Sequence, residues 1–109
     1  MPREDGLPPG SLVMLILRVL ATQPLHGYAI AQRISQLSDE VLSVEEGSLY
    51  PALQRILIKG WATSEWGVSD TNRQVRVYRL TPAGRKQLDA KRSDYDRMND
   101  AIQAVLRSA

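Results

Sequence analysis

The stretch of residues 46–60, EGSLYPALQRILIKG, sets the strictest limits on how this chain can fold. Leu49, Leu53 and Ile56 recur at three- and four-residue spacing, which predicts one helix with an apolar back that stops near Gly60. The remaining sides carry side chains suited to the phosphates and base edges of nucleic acid: Ser48, Tyr50, Gln54, Arg55 and Lys59. An ordinary amphipathic helix with a solvated face would show the same pattern, so this stretch alone leaves both interpretations open.

Charge is distributed unevenly along the chain. The net charge is only +2, yet residues 1–50 hold three basic and six acidic side chains, whereas residues 51–109 hold eleven basic and six acidic. A local cationic field favours a polyanionic partner, although a solvated basic surface remains an alternative. The basic excess is sharpest in residues 71–92, where Asp89 is accompanied by Arg73, Arg76, Arg79, Arg85, Lys86, Lys91 and Arg92.

The chain contains no cysteine and one histidine, His26. These counts exclude disulfides, thiol catalysis and a Cys/His zinc site, and they agree with a reducing cytoplasm. His26 is best interpreted as a capping or packing residue, and without a nucleophile–base pair we expect neither an enzyme nor a cofactor. The apolar run of residues 11–21 is about half as long as a membrane span and contains Arg18. We therefore expect a cytoplasmic protein with no signal peptide and no membrane segment.

Periodicity predicts the order of the other elements. Residues 1–10 are typical of a flexible or extended arm, and two helices follow over residues 11–21 and 26–38. Residues 41–44 have the composition of a short strand. After the helix of residues 46–60, residues 61–66 and 74–80 alternate as the strands of a hairpin. Thr81 as N-cap and Pro82 then begin a last helix that runs to about residue 107. The predicted inward positions are Tyr28, Ile30, Ile34 and Leu37 in the second helix, and Trp61, Tyr78 and Leu80 in the hairpin.

The last helix carries a narrow apolar stripe. Its members follow a heptad-like spacing, which is typical of helices that pair with other helices: Leu88, Tyr95, Met98, Ile102 and Val105. We expect the stripe to pair with a second copy of the chain in a twofold homodimer, with Leu12 and Leu15 of the first helix adding to the contact. Packing of the last helix against its own domain is the alternative.

This order of elements predicts a mainly α fold. Residues 11–81 would form a winged helix-turn-helix domain with a two-stranded β-wing, and residues 82–109 a long C-terminal dimerisation helix. In that arrangement the third helix enters the major groove of double-stranded DNA, and the wing lies along the backbone or minor groove. Lys59, Arg73 and Arg76 would then bind phosphates, while Ser48, Tyr50, Gln54 and Arg55 would contact phosphates or bases. Twofold symmetry predicts a roughly palindromic operator with half-sites about 34–36 Å apart. A winged-helix protein-interaction module that does not bind DNA is the alternative, since the first half of the chain is acidic.

Four motifs also carry a family resemblance. They are LHGYAI at residues 25–30, EGSLYPAL at 46–53, KGW at 59–61 and YRLTPAG at 78–84. Over about residues 11–107 the chain resembles the PadR family of bacterial transcription regulators, and in particular its short members with a single C-terminal helix. The resemblance implies a homodimeric winged-helix repressor. It also implies that Ser48, Tyr50 and Gln54 lie in the DNA-contacting part of the third helix and that Arg73 and Arg76 lie in the wing.

Two features depart from the family pattern. Leu57 and Ile58 stand where members often have charged residues, and we expect them to pack against the N- or C-terminal helix of either subunit. The C-terminal helix has no tryptophan, because Trp61 and Trp66 both lie in the hairpin. Some relatives bind flat aromatic ligands with a tryptophan at the dimer interface, so the sequence does not identify an inducer or a pocket for one.

Overall fold

The computed structural model describes residue 7 and residues 10–108. In chain order its elements are α1 (Ser11–Leu20), β1 (Leu25–His26), α2 (Gly27–Leu37), α3 (Glu46–Ile58), β2 (Ala62–Val68), β3 (Gln74–Leu80) and α4 (Pro82–Leu106). The mainly helical prediction is therefore confirmed. Most of the predicted arm of residues 1–10 lies outside the described residues. In the described part, no helix is long and apolar enough to cross a membrane.

The sheet has three strands, whereas the sequence predicts two. Its order is β1–β3–β2, and both pairings are antiparallel. In the third strand, β1, Leu25 lies opposite Tyr78 and His26 lies opposite Val77. The sequence interpretation made residue 25 part of a connection and missed this strand, because a two-residue strand has no periodicity of its own and is defined only by pairing with β3. His26, predicted at the start of the second helix, is both the end of β1 and the N-cap of α2.

Residues 41–44 do not form the predicted strand. They are irregular, since no neighbouring strand pairs with them, and Val41 is exposed. The Ser38 hydroxyl ends α2 by donating to the Ile34 carbonyl oxygen at 2.9 Å and accepting from the Leu42 N–H at 3.1 Å. A β-like composition cannot form a strand without a partner for its backbone groups.

The core lies where α1, α2 and α3 pack on one another and on β3. The predicted apolar back of α3 is confirmed, since it is buried at Leu49, Leu53 and Ile56. The inward face of the hairpin is also confirmed: Tyr78 is buried, and Trp61 and Leu80 pack against the core.

The buried face of α2 is narrower than predicted. Ile30 and Ile34 are buried, but Tyr28 and Leu37 are both exposed. Tyr28 projects from another side of the helix, and Leu37 lies in the last turn, where the described part of the protomer leaves it uncovered. Hydrophobic spacing identified the helix, but it did not show which of its apolar residues other elements cover.

A glycine ends α3, as predicted. Gly60 has a positive φ of 76°, a conformation that an L side chain disfavours. Its N–H donates to the Leu57 carbonyl at 3.0 Å, and the Trp61 N–H donates to the Ile56 carbonyl at 3.0 Å. These two bonds form a Schellman motif, which turns the chain from α3 into the wing.

Thr81 joins the end of α3 to the start of α4. Its hydroxyl accepts from the Gly84 N–H at 3.0 Å, which confirms the predicted N-cap, and donates to the Gly60 carbonyl at 2.7 Å. Its N–H donates to the Trp61 carbonyl at 3.1 Å. We call this set of residues, Gly60, Trp61, Thr81 and Gly84, the junction.

The helix α4 begins on the core and then leaves it. Leu88 is only 3% exposed and belongs to the core of its own protomer, so the structure offers no surface for its predicted role in dimerisation. The first turns of α4 pack against α1, and this contact buries Leu88. The later members of the stripe are exposed: Tyr95, Met98, Ile102 and Val105.

The two apolar residues of α3 that depart from the family pattern, Leu57 and Ile58, have different environments. Leu57 packs partly against the core, as expected, whereas Ile58 is 75% exposed. The expectation that Ile58 packs on a helix of its own subunit is wrong, because it projects from the side of α3 opposite the buried back. Contact with a second subunit stays a prediction.

Replacing Gly84 with Ala should destabilise the protein. A Cβ at this position would overlap the Trp61 carbonyl oxygen and lie 2.7 Å from Leu80 Cδ1. We expect the free energy of unfolding to fall by about 2–3 kcal/mol, measured by urea denaturation. Gly47→Ala is the matched control, because Gly47 is exposed in α3 and alanine favours a helix by up to about 1 kcal/mol. Equal effects of the two substitutions would contradict close packing at the junction.

Candidate nucleic-acid interface

The polar side of α3 faces away from the core. Of the residues predicted to contact nucleic acid, Tyr50, Gln54 and Arg55 are exposed and Ser48 is half-buried. The buried back of the helix fixes this orientation, because the polar positions fall between the apolar ones. The helix therefore offers hydrogen-bonding side chains to a surface-bound partner.

Tyr50 rests against the N-terminus of α2. A Cβ on Gly27 would lie 3.0 Å from the Tyr50 hydroxyl oxygen and 3.1 Å from its ring Cε1, so only glycine lets the ring approach this closely. The neighbouring His26 caps α2, with Nδ1 accepting from the Ala29 N–H at 3.4 Å, as predicted for this histidine. The HGY and LYP motifs thus meet in space and hold α3 against α2.

Arg76 is held in place on the wing. Its Nε donates to Ser64 Oγ at 3.0 Å, and its guanidinium carbon lies 5.3 Å from the centre of the Trp66 ring. Trp66 is the direct cross-strand partner of Arg76, so both side chains leave the same face of the hairpin. The sequence prediction included Arg76 but missed Ser64 and Trp66. The hairpin register would have placed these two residues beside Arg76, but composition alone does not give the register.

Arg73 lies at the tip of the wing. The backbone bonds of Arg73 close the turn, with its N–H donating to Ser69 Oγ at 3.2 Å and its carbonyl accepting from the Ser69 N–H at 2.8 Å. Asn72 takes a positive φ of 62° in the same turn, as asparagine tolerates. The exposed Arg73 side chain therefore projects from an ordered turn.

A groove of about 610 Å³ separates the wing from the helices. It brings together Tyr50, Arg73 and Arg76 from the predicted set. The groove is also lined by residues that the sequence analysis did not assign to an interface: His26, Tyr28, Gln32, Trp66, Asp70 and Gln74. Aromatic rings and two guanidinium groups on one concave surface can bind an anionic, partly flat polymer.

Lys59 lies apart from this groove. Its Nζ is 5.6 Å from the centre of the Trp61 ring, and Lys91 Nζ is 5.4 Å from the same centre. Trp61 directly precedes β2, whose seven residues extend roughly 20 Å toward the tip that carries Arg73. The structure therefore groups Lys59 with Lys91 at the base of the wing.

The groove also perturbs one ionisable group. Burial raises the pKa of the Tyr78 hydroxyl, while the Arg76 guanidinium opposes the rise and Tyr50 adds to it. No group of three or more His, Asp or Glu residues in the described ranges could hold a metal ion.

Comparison with known proteins gives a consistent result. The model of the family described as "Transcriptional regulator PadR-like family" matches residues 16–90. A transcriptional regulator of Mycobacterium tuberculosis is 42% identical over 77 residues, covering 71% of this chain and 68% of that protein. An uncharacterised 37.1 kDa protein in a transposon of Streptomyces fradiae is 39% identical over 89 residues, or 82% of this chain. The chain spans only 24% of the length of that transposon protein.

Solved structures of regulators share the fold. A transcriptional regulator from Clostridium thermocellum has a TM-score of 0.80 at 28% identity, covering 87% of this chain and 92% of that one. A PadR family transcriptional regulator from Eggerthella lenta has a TM-score of 0.76 at 29% identity, covering 92% and 85% of the respective chains.

The raised pKa of Tyr78 predicts a loss of stability at high pH. The folded state holds this proton more tightly than the unfolded chain, so the free energy of unfolding should fall as pH rises above about 10. Tyr78→Phe should remove that component in urea titrations repeated across the alkaline range. Tyr28→Phe, at an exposed position of α2, should retain it. An unchanged alkaline loss in Tyr78→Phe would rule out this assignment.

Proposed function

Because the chain belongs to the PadR-like family of transcriptional regulators, we propose that it is a homodimeric repressor that binds double-stranded DNA. One observation carries the proposal: the exposed polar side of α3 adjoins a wing on which Arg76 is already held in place by Ser64 and Trp66. Such a protein would work in the cytoplasm, with the chromosome.

The wing would supply sequence-independent affinity. Each phosphate neutralised by an arginine releases condensed counterions, so affinity depends steeply on salt concentration. Arg76 loses less conformational freedom on binding because its guanidinium is already restrained, whereas Arg73 reaches from the tip. Ser48, Tyr50, Gln54 and Arg55 on α3 would contact phosphates or base edges, and Lys59 would add a phosphate contact from the base of the wing.

The second half of α4 would supply the dimer. Tyr95, Met98, Ile102 and Val105 expose an apolar stripe that the described part of the protomer does not cover. Its heptad-like spacing fits an identical helix of a second copy, with the partly exposed Leu12 and Leu15 of α1 extending the contact. A twofold axis would then present two α3 helices to a roughly palindromic operator with half-sites about 34–36 Å apart.

Removing the wing arginines should weaken DNA binding at every sequence. For Arg73→Ala/Arg76→Ala we expect the slope of log affinity against log salt concentration to become shallower by about 2. The measurement is a fluorescence titration with duplex DNA at several salt concentrations, using the region upstream of the protein's own coding sequence. Footprinting on the same region locates the operator.

The control for this variant removes the same two charges elsewhere. Arg97 on α4 and Arg107, the residue directly after α4, are exposed and lie at outer positions relative to the stripe, so Arg97→Ala/Arg107→Ala should keep the wild-type salt slope. Identical slopes in both double variants would refute the wing assignment. Absence of any binding to duplex DNA by the wild type would instead favour a protein-interaction module.

A charge in the α4 stripe should prevent dimerisation. Ile102→Asp would place two carboxylates at the twofold contact, and we expect sedimentation equilibrium to show a monomer with weakened operator binding. Ala104→Asp adds the same charge on an outer, exposed position and should remain a dimer. A dimeric Ile102→Asp variant would show that another surface joins the subunits.

A further inference from the structure

The helix α3 presents one outermost line of residues. Successive side chains turn by about 100° around a helix, so Gly47, Pro51, Gln54 and Ile58 fall on the same side. All four are exposed. This side lies opposite the buried back of the helix, which consists of Leu49, Ala52, Leu53 and Ile56.

Only one residue on this line can form hydrogen bonds through its side chain. Gly47 has no side chain, and Pro51 and Ile58 are apolar. The Gln54 amide makes no side-chain hydrogen bond with any described residue, so both of its polar atoms are free for a partner. Ile58 is also open to a partner, with 75% of its surface exposed.

The neighbouring polar residues leave the helix on its flanks. Tyr50 turns toward α2, where its ring rests against Gly27. Arg55 and half-buried Ser48 lie on the opposite flank. Side chains on the flanks of a helix in the major groove meet the phosphate-lined walls, while the outermost line meets the base edges.

We propose that Gln54 reads an adenine in each half-site and that Ile58 contacts the methyl group of a nearby thymine. A glutamine amide pairs with adenine through two hydrogen bonds, accepting from N6 and donating to N7, and apolar side chains recognise the thymine C5-methyl group. This inference rests on the proposed DNA-binding function and adds the chemistry of the bases that α3 selects.

The first test measures base preference by selection from a random duplex library. Wild-type protein should enrich sites with a fixed adenine in each half-site. Gln54→Ala should lose preference at that position alone, with discrimination there falling by about 10–100-fold. Gln54→Glu should shift the preference toward cytosine, whose N4 amino group donates to a carboxylate. Arg55→Ala is the control and should lower affinity evenly without changing any base preference.

The second test removes the thymine methyl group. Replacing the selected thymine with uracil should weaken binding by the wild type a few-fold, whereas Ile58→Ala should bind both duplexes equally. Ile58 and Gln54 are exposed, so neither substitution should affect folding, which thermal unfolding checks.

The outcomes separate this inference from the proposed function. The inference would be overturned, while DNA binding stands, by an unchanged base preference in Gln54→Ala. It would also be overturned if replacing thymine with uracil weakened the wild type and Ile58→Ala equally. Failure of wild-type protein to enrich any duplex would overturn the proposed function itself.

Discussion

The hydrogen bonds from Thr81 to Gly60 and Trp61 hold α3, the wing and α4 in one fixed relation. Three hydrogen bonds meet there, and Gly84 lets the first turn of α4 lie against the Trp61 carbonyl. These bonds place the start of α4 next to the end of α3, although the whole wing separates the two helices in the sequence. In the proposed dimer, this connection would help to hold two copies of α3 at a defined spacing.

The protein exposes two surfaces with opposite chemistry. One is polar and cationic, where α3 meets a wing that carries Arg73 and Arg76. The other is the apolar stripe on the second half of α4, which includes Met98 and Ile102. The first surface is favourably hydrated and the second is not, so the two differ in the partner chemistry that they favour, as the proposed function requires. The junction connects the elements that carry these two surfaces.

Tertiary packing also prepares the polar surface before any partner arrives. The Tyr50 ring can lie against Gly27 because that residue has no side chain, and Arg76 is restrained by its contacts with Ser64 and Trp66. Restraint of this kind lowers the entropy lost on binding. In the proposed interface, Gln54 and Ile58 on the outermost line of α3 would be the positions where residue identity changes what the helix recognises without changing its placement.

Local spacing in the sequence determined the helices, the hairpin, the buried back of α3 and the caps at Gly60 and Thr81, because these depend on neighbours within a few residues. It also located Tyr50, Gln54, Arg73 and Arg76 as candidate contacts, since residue chemistry and motif order are visible in one dimension. Contacts between distant segments are not visible in the sequence in this way. The pairing that makes β1 a strand, the burial of Leu88 and the stacking of Trp66 on Arg76 were decided when separate elements packed, because each depends on a register or an edge of the core that no single segment encodes.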